Sequence, residues 1–457
     1  MPVLALVGSA LLLFYTAFSL GGVLAGPWSV CALAIAGLSL LSTIAPCGGI
    51  RPEPLSVPVR WLGSTLTALA LFQLVPLPPA LLTWLSPARR GVLNAAAAVV
   101  QAPAWSPLHA APAAGLEAVR DMLCYFLLFL MLRRIAGHWR AHLWRCVLPL
   151  VLLGAAEGAL GLWQAHGNAA VARGTFHDSD HYAALLEMLL PFPVMWACYL
   201  FSRRAATGLS FGGAISIGAL LATVVIMLAG VVHSLSRMGF VAALAGLAAS
   251  GLAALPRQRH RMIVTTAAAA LALLLFTFLP GEALIRRYAI LSHQNVVDDP
   301  RYQIWAGSLN LIRDYPWMGC GLGAYESCAL RYKTAVPMLA VRHAHNDYLE
   351  LAAGLGIPGC ALAVSLGFWA AWGALAARRG MWRFPACACF GALIAIGGHS
   401  LVDFSLHLPT NALVLAWILG LSSSISLGET HAAPRSFQHA YRAHFSQIVK
   451  SPPLTVD

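Results

Sequence analysis

Residues 342–359 read Arg342-His-Ala-His-Asn-Asp-Tyr-Leu-Glu-Leu-Ala-Ala-Gly-Leu-Gly-Ile-Pro-Gly359. Two histidines, an arginine, an amide and two carboxylates stand immediately before an apolar run that continues to about residue 376. Such groups are costly beside hydrocarbon unless something uses them. Asp347-x-x-Glu350 has the form of a capping box, so a helix is expected to start near Asp347. Gly354, Gly356 and Pro358 should then break it before the span proper, as helix breaks do where they line a cavity. The helix start would offer free N–H groups and partial positive charge to an anion. Its dipole should keep adjacent histidines neutral and able to accept a proton.

The rest of the chain repeats the apolar half of this pattern. Of 457 residues, 59% are hydrophobic and 10% charged, and mean hydropathy is +0.73. Soluble proteins carry about 25% charged residues. Stretches long enough to cross a ~30 Å hydrocarbon core recur at about 3–22, 28–45, 60–76, 116–133, 143–163, 181–201, 210–231, 238–255, 262–280, 358–376, 384–402 and 408–427. The expected fold is an all-α polytopic membrane protein with about twelve transmembrane helices. Residues 1–427 form one transmembrane domain, with a large periplasmic loop at 281–346 that contains short helices. A disordered cytoplasmic tail at 428–457 follows.

With the N-terminus inside, the short inner loops hold the majority of the 29 Lys and Arg, as the positive-inside rule requires. The net charge of +12 is therefore a matter of topology and anionic lipid rather than of nucleic acid. The first span lacks a basic leader and is expected to remain as a membrane helix. Cys387 and Cys389 have no second pair to complete a zinc site. Cys320 and Cys328 fall outside, where oxidation is feasible.

Three outward segments are too polar or too rich in Pro and Gly to be simple turns: 76–115, 164–180 and 280–346. The last, about 65 residues, is far longer than ordinary connections. Within it, residues 302–315 have helical spacing up to Pro316, and Gly319, Gly321 and Gly323 make a flexible turn.

Five polar clusters share the outward face. They are Arg173 to Tyr182, His233 to Gly239, Arg301 to Gly323, Arg342 to Asn346, and His399 to Pro409. Arg237 reads either as a snorkelling helix-end arginine or as a bidentate phosphate clamp. Asp178-Ser-Asp180 has the D-x-D form that can hold a cation against a diphosphate, or it is a solvated loop ahead of a helix. His343 and His345 lack the i, i+4 spacing of a helical zinc pair, so acid–base or phosphate-binding roles outrank a metal. Glu157, Glu187 and Asp403 belong to a proton path or pair with the outward arginines.

These clusters, in this order, resemble the O-antigen ligase and O-antigen polymerase superfamily. The likeness is carried by Arg342-His343-Ala-His345-Asn346-x-Tyr348-Leu349, Gly354-Leu-Gly-Ile-Pro-Gly359, Ser236-Arg237-x-Gly239, Gly174-Thr-Phe176 with His181-Tyr-Ala183, Pro316-Trp-Met-Gly-Cys-Gly-Leu-Gly323 and His399-Ser-Leu-Val-Asp-Phe404. The resemblance implies a membrane glycosyltransferase without metal or other cofactor. It would move a glycan from an undecaprenyl-pyrophosphate carrier to an acceptor hydroxyl, with inversion.

The implied partners are that donor, lipid A core or another glycan acceptor, and the bilayer. A ligase is expected first, then a polymerase or a protein O-oligosaccharyltransferase. The implied location is the bacterial inner membrane, with the active site facing the periplasm. The family's essential histidine maps to His345, with His343 more variable, and its pyrophosphate-binding arginines to Arg237 and Arg173. Arg342 and Arg301 would assist donor binding, and Asn346, Asp403, Asp178 and Asp180 would support the site. Asp178 and Asp180 stand where family members often carry asparagine. The competing class is a lipid-linked glycan flippase. It is disfavoured by the lack of an internal repeat and by the gathering of polar residues at one face.

Overall fold

The computed structural model describes residues 2–44, 54–99, 103–167, 171–204, 208, 210–255, 300–333 and 341–430. The expected span at 262–280, the parts of the long loop at 281–299 and 334–340, and the tail beyond 430 lie outside them. The helices are α1 Pro2–Phe18, α2 Ala25–Ile44, α3 Val57–Phe72, α4 Pro79–Leu85, α5 Pro87–Ala97, α6 Pro112–His138, α7 Trp144–His166, α8 Ser179–Leu189 and α9 Pro191–Arg204. They continue with α10 Phe211–His233, α11 Arg237–Ala254, α12 Pro300–Asp314, α13 Tyr325–Ala329, α14 Asp347–Ala376, α15 Arg383–His399 and α16 Pro409–Thr430. The sheet among the described residues is one antiparallel pair, Pro76–Leu77 with Ser106–Pro107.

Seven helical stretches are long and apolar enough to cross a membrane: Ala25–Ser42, Arg140–His166, Ser179–Arg203, Phe211–His233, Arg237–Ala254, Asp347–Arg379 and Pro409–Ser426. The expected twelve are therefore not reached among the described residues. α1 and α3 are apolar but shorter, and α6 carries Glu117, Arg120 and Asp121 in its outer half. The expected span at 181–201 is two helices in series, α8 and α9, the second opening at Pro191.

Small residues bring the central helices together. A Cβ on Gly246 of α11 would lie 2.8 Å from the Gly391 carbonyl oxygen of α15, so the two backbones nearly touch. This is the packing expected where apolar attraction between helices is weak and close van der Waals contact must replace it. It positions the end of α15, and with it His399, beside α8. α6 packs on α16, and α7 on α10.

The break in α14 falls at Gly356, with φ 73° and ψ 170°. The interrupted helix leaves two carbonyls without intrahelical donors and one N–H without an acceptor, and the turn at 316–323 supplies both kinds of partner. Cys320 N–H donates to Ala353 O at 2.8 Å, Gly321 N–H to Gly354 O at 3.0 Å, and Ile357 N–H to Pro316 O at 2.8 Å. Gly319, Gly321 and Gly323 have φ of 67°, 117° and 83°. The turn expected to be flexible is thus pinned between α14 and α6. Gln73 locks it, donating to Gly354 O at 2.8 Å and accepting from Leu322 N–H at 3.0 Å.

Gly356→Ala is expected to destabilise the fold strongly. The φ/ψ region is nearly exclusive to glycine, at a cost of about 1–3 kcal/mol, and the added Cβ would collide with the Trp317 carbonyl oxygen. Thermal melts in detergent, compared with Gly212→Ala where a Cβ meets nothing within 4 Å, measure this.

Candidate active site

Asn346 caps α14. Its Oδ1 accepts from Tyr348 and Leu349 N–H, each at 3.0 Å, and its Nδ2 donates to Leu401 O at 2.7 Å. The helix does start at Asp347, but the cap is one residue earlier than the capping-box reading placed it. Asp347 and Glu350 are released for other partners. Asp347 N–H itself donates to Ser400 O at 2.9 Å. The first helical N–H groups are therefore consumed within the protein. This corrects the expectation of an anion site at this helix end, where two buried carboxylates now stand.

Those carboxylates organise the histidines. Glu350 Oε1 lies 3.0 Å from His343 Nδ1 and 3.0 Å from His407 Nε2, while its Oε2 accepts from Ala344 N–H at 2.8 Å. His407 Nδ1 lies 3.0 Å from Asp347 Oδ1, and Ser400 Oγ–H donates to the other Asp347 oxygen at 2.7 Å. Burial resists charge on His407, but Glu350 and Asp347 outweigh it and hold its pKa well above the ordinary imidazole value. His407 reaches the same helix end from the 405–407 turn, where its facing carboxylates outweigh the helix dipole.

A third carboxylate, Asp403, has three imidazoles around it. His345 Nδ1 is 3.7 Å from Oδ1, and His181 Nε2 and His399 Nε2 are 3.5 and 3.8 Å from Oδ2. Ser405 Oγ–H donates to Oδ2 at 2.7 Å. Burial opposes ionisation of Asp403, yet His345, His181, His399 and Ser405 together hold its pKa well below the usual carboxylate range. Phe404 forms the wall between the groups. It stacks on His343 with centroids 4.2 Å apart and meets His181 and His345 edge-on at 4.6 and 4.8 Å. Behind them, His399 Nδ1 contacts Glu187 Oε2 at 2.9 Å in the bundle interior.

His345 is held in the left-handed region at φ 48°, which costs a non-glycine residue about 1–2 kcal/mol. Trp305 Nε1–H donates to its carbonyl at 3.3 Å. Its Nδ1 is buried, yet 34% of the side chain is exposed, so the accessible edge is that of Nε2. Strain of this kind is kept where the surroundings over-determine it, often at functional sites.

The remaining expected residues lie around this centre in different settings. Asp178 caps α8, accepting from Asp180 N–H at 2.9 Å. Asp180 pairs with Arg301 at 3.3 Å, tying α12 to α8. Arg342, with 74% of its side chain exposed, faces Glu326 at 3.5 Å. Arg237 opens α11 with an exposed side chain beside the Ser236 cap. Arg173 is also exposed, and its loop is anchored from below: Thr175 N–H and Oγ–H donate to Glu157 at 3.0 and 2.6 Å, and Gln164 binds both Arg173 N–H and Gly174 O. Glu157 therefore holds the loop rather than an arginine. Cys320 and Cys328 are free thiols.

Five titratable residues of the cluster go beyond the expected set: His181, His399, His407, Asp347 and Glu350. The polar segments 173–182 and 399–409 signalled the three histidines. Nothing in the sequence marked Phe404 as the wall shared by His181, His343 and His345.

Among the described residues, seven helical stretches long and apolar enough to cross a membrane, with a histidine–carboxylate cluster at one end of the bundle, have the make-up of an integral membrane protein. Residues 222–364 match the family model described as O-antigen ligase, consistent with a member of the O-antigen ligase and polymerase superfamily, as the motifs led one to expect. The matched segment carries Arg237, Arg301, His343, His345 and Asn346. Comparison with the curated proteins found no match. The family points to a glycosyltransferase-like membrane enzyme acting on a lipid-linked glycan and a glycan acceptor.

Proposed function

We propose that the protein transfers a glycan from undecaprenyl pyrophosphate to an acceptor hydroxyl at the periplasmic face of the bacterial inner membrane, as an O-antigen ligase. The acceptor oxygen attacks the anomeric carbon from the side opposite the leaving group. The carbon–oxygen bond to the pyrophosphate breaks, and the lipid pyrophosphate departs with the bonding electrons. His345 Nε2 takes the hydroxyl proton, and Asp403 stabilises the imidazolium that forms. The single observation that carries this reading is His345 itself, which lies inside the family-matched segment, strained, one-third exposed and backed by the buried carboxylate of Asp403.

Charge on the departing pyrophosphate falls to Arg237 and Arg173, both exposed at the same end of the bundle, because the N–H groups of α14 are already engaged. Guanidinium geometry suits bidentate phosphate contact, which an ammonium cannot reproduce. Arg237→Lys is therefore expected to lower transfer about 10–150-fold, the worth of a charge-assisted contact of roughly 1.5–3 kcal/mol. It should be nearly as damaging as Arg237→Ala in a labelled-glycan transfer assay. Full activity of Arg237→Lys would remove the arginine from the donor site.

The glycan gel of a deletion strain tests the acceptor. Polymer left on its lipid carrier beside bare lipid A core is the ligase result. Acceptor bearing a single repeat unit is the polymerase result.

A further inference from the structure

We propose that α1, α2 and α6 form a binding site for one anionic phospholipid at the end of the bundle opposite the histidine cluster. A cavity of about 300 Å³ lies between the three helices, the size at which small-ligand pockets begin, roughly 300–1,000 Å³. Its body is apolar, lined by Ala5, Leu38, Leu41, Met131 and Ile135. Its charged lining is basic: Arg134 and His138 from the end of α6, beside Ser42 in the last turn of α2. Leu4 and Leu41 in its wall are 66% and 57% exposed on the outside of the bundle, where acyl chains lie.

Two donors define the head of the ligand. Arg134 Nε and His138 Nδ1 are buried and have no hydrogen-bond partner among the described residues, while Arg134 Nη1 donates to Ser42 O. A buried donor without an acceptor is costly. Phosphate oxygens accept from guanidinium and imidazole N–H groups alike, and a charged partner makes the stronger bond. The first turn of α1, starting at Pro2 beside the cavity, presents a positive helix end that offsets the negative ends of α2 and α6.

The location fits the charge. α6 runs from the 316–323 turn, where a Cβ on Gly323 would lie 3.0 Å from Ala118, to Arg133, whose Nε donates to Ser423 Oγ at 3.2 Å near the far end of α16. Arg140 lies at that far end as well, its carbonyl accepting from Trp382 Nε1 at 2.9 Å, just before Arg383 opens α15. The positive-inside rule makes this the cytoplasmic face. The cytoplasmic leaflet carries anionic lipid, and basic pockets between membrane helices there take lipid head groups. An apolar body beneath a basic mouth favours a phosphate carried on acyl chains over free phosphate. The two cations disfavour a zwitterionic lipid, whose ammonium would face them. The site is independent of the glycosyl-transfer reading.

The test uses the full-length protein in detergent, with bound lipid counted by native mass spectrometry after adding phosphatidylglycerol and phosphatidylcholine in equal amounts. One phosphatidylglycerol per chain is expected, preferred at least about tenfold, as one charge-assisted contact allows. Arg134→Gln should weaken its retention about 10–150-fold. Arg378→Gln, at the same end but outside the cavity lining, should retain lipid as the unaltered protein does, and inorganic phosphate should not displace it. If melting curves show that Arg134→Gln does not fold, His138→Ala decides, with a loss of about 2–10-fold for one hydrogen bond. No preference for phosphatidylglycerol, unchanged retention in the deciding variant, equal loss in Arg378→Gln, or displacement by inorganic phosphate would overturn the site.

Discussion

His345→Ala is expected to lower glycan transfer by about 10²–10⁴-fold, the usual contribution of a general base, while leaving a folded protein. The ring contributes little to the hydrophobic core, being one-third exposed, and its nearest charged partner, Asp403, lies 3.7 Å away. Alanine keeps the φ of 48° at some cost, so His345→Asn is the better-folded control, since asparagine tolerates this region. Asparagine cannot take the proton and should be as inactive as alanine. Labelled-glycan transfer with a parallel melting curve separates the two effects. Normal transfer by a well-folded alanine variant would end the catalytic assignment.

Asp403→Ala is expected to be the most damaging change to both stability and transfer. The carboxylate is 3% exposed and holds His181, His345 and His399 around it. Removing one side of a buried charged cluster typically costs about 3–5 kcal/mol. Its pH dependence follows from the depressed pKa of Asp403. The carboxylate contributes its full stabilisation above the unfolded value of about 3.9 and loses it as pH falls toward the lower folded value. Acid should therefore unfold the unaltered protein progressively below about pH 4. Asp403→Asn, already lacking the charge, should be less stable at neutral pH with a flatter acid limb. Melting temperature against pH in detergent reads both.

The helical membrane architecture was legible because apolar length is a one-dimensional property. Eleven of the twelve expected spans coincide with helices in the described residues. The helix start near Asp347 and its break at Gly356 were legible for the same local reason. The use of the polar groups was not. Asp347 N–H reaches Ser400 O, and Glu350 gathers His343 and His407. The most distant of these partners lie 57 residues apart in sequence and meet only when α14, α15 and the 405–407 turn come together in the folded bundle. A capping-box pattern describes local hydrogen bonding, so tertiary acceptors could reassign both carboxylates without any trace in the motif. The D-x-D pair likewise divided between a cap and an ion pair with Arg301 once α12 came alongside α8.

The most direct measurement is made in liposomes holding the purified protein, a synthetic undecaprenyl-pyrophosphate-linked glycan and an acceptor with a free hydroxyl. The account predicts that glycan appears on the acceptor, lipid pyrophosphate is released in equal amount, and neither occurs with His345→Ala. Movement of intact lipid-linked glycan across the bilayer without transfer would contradict it.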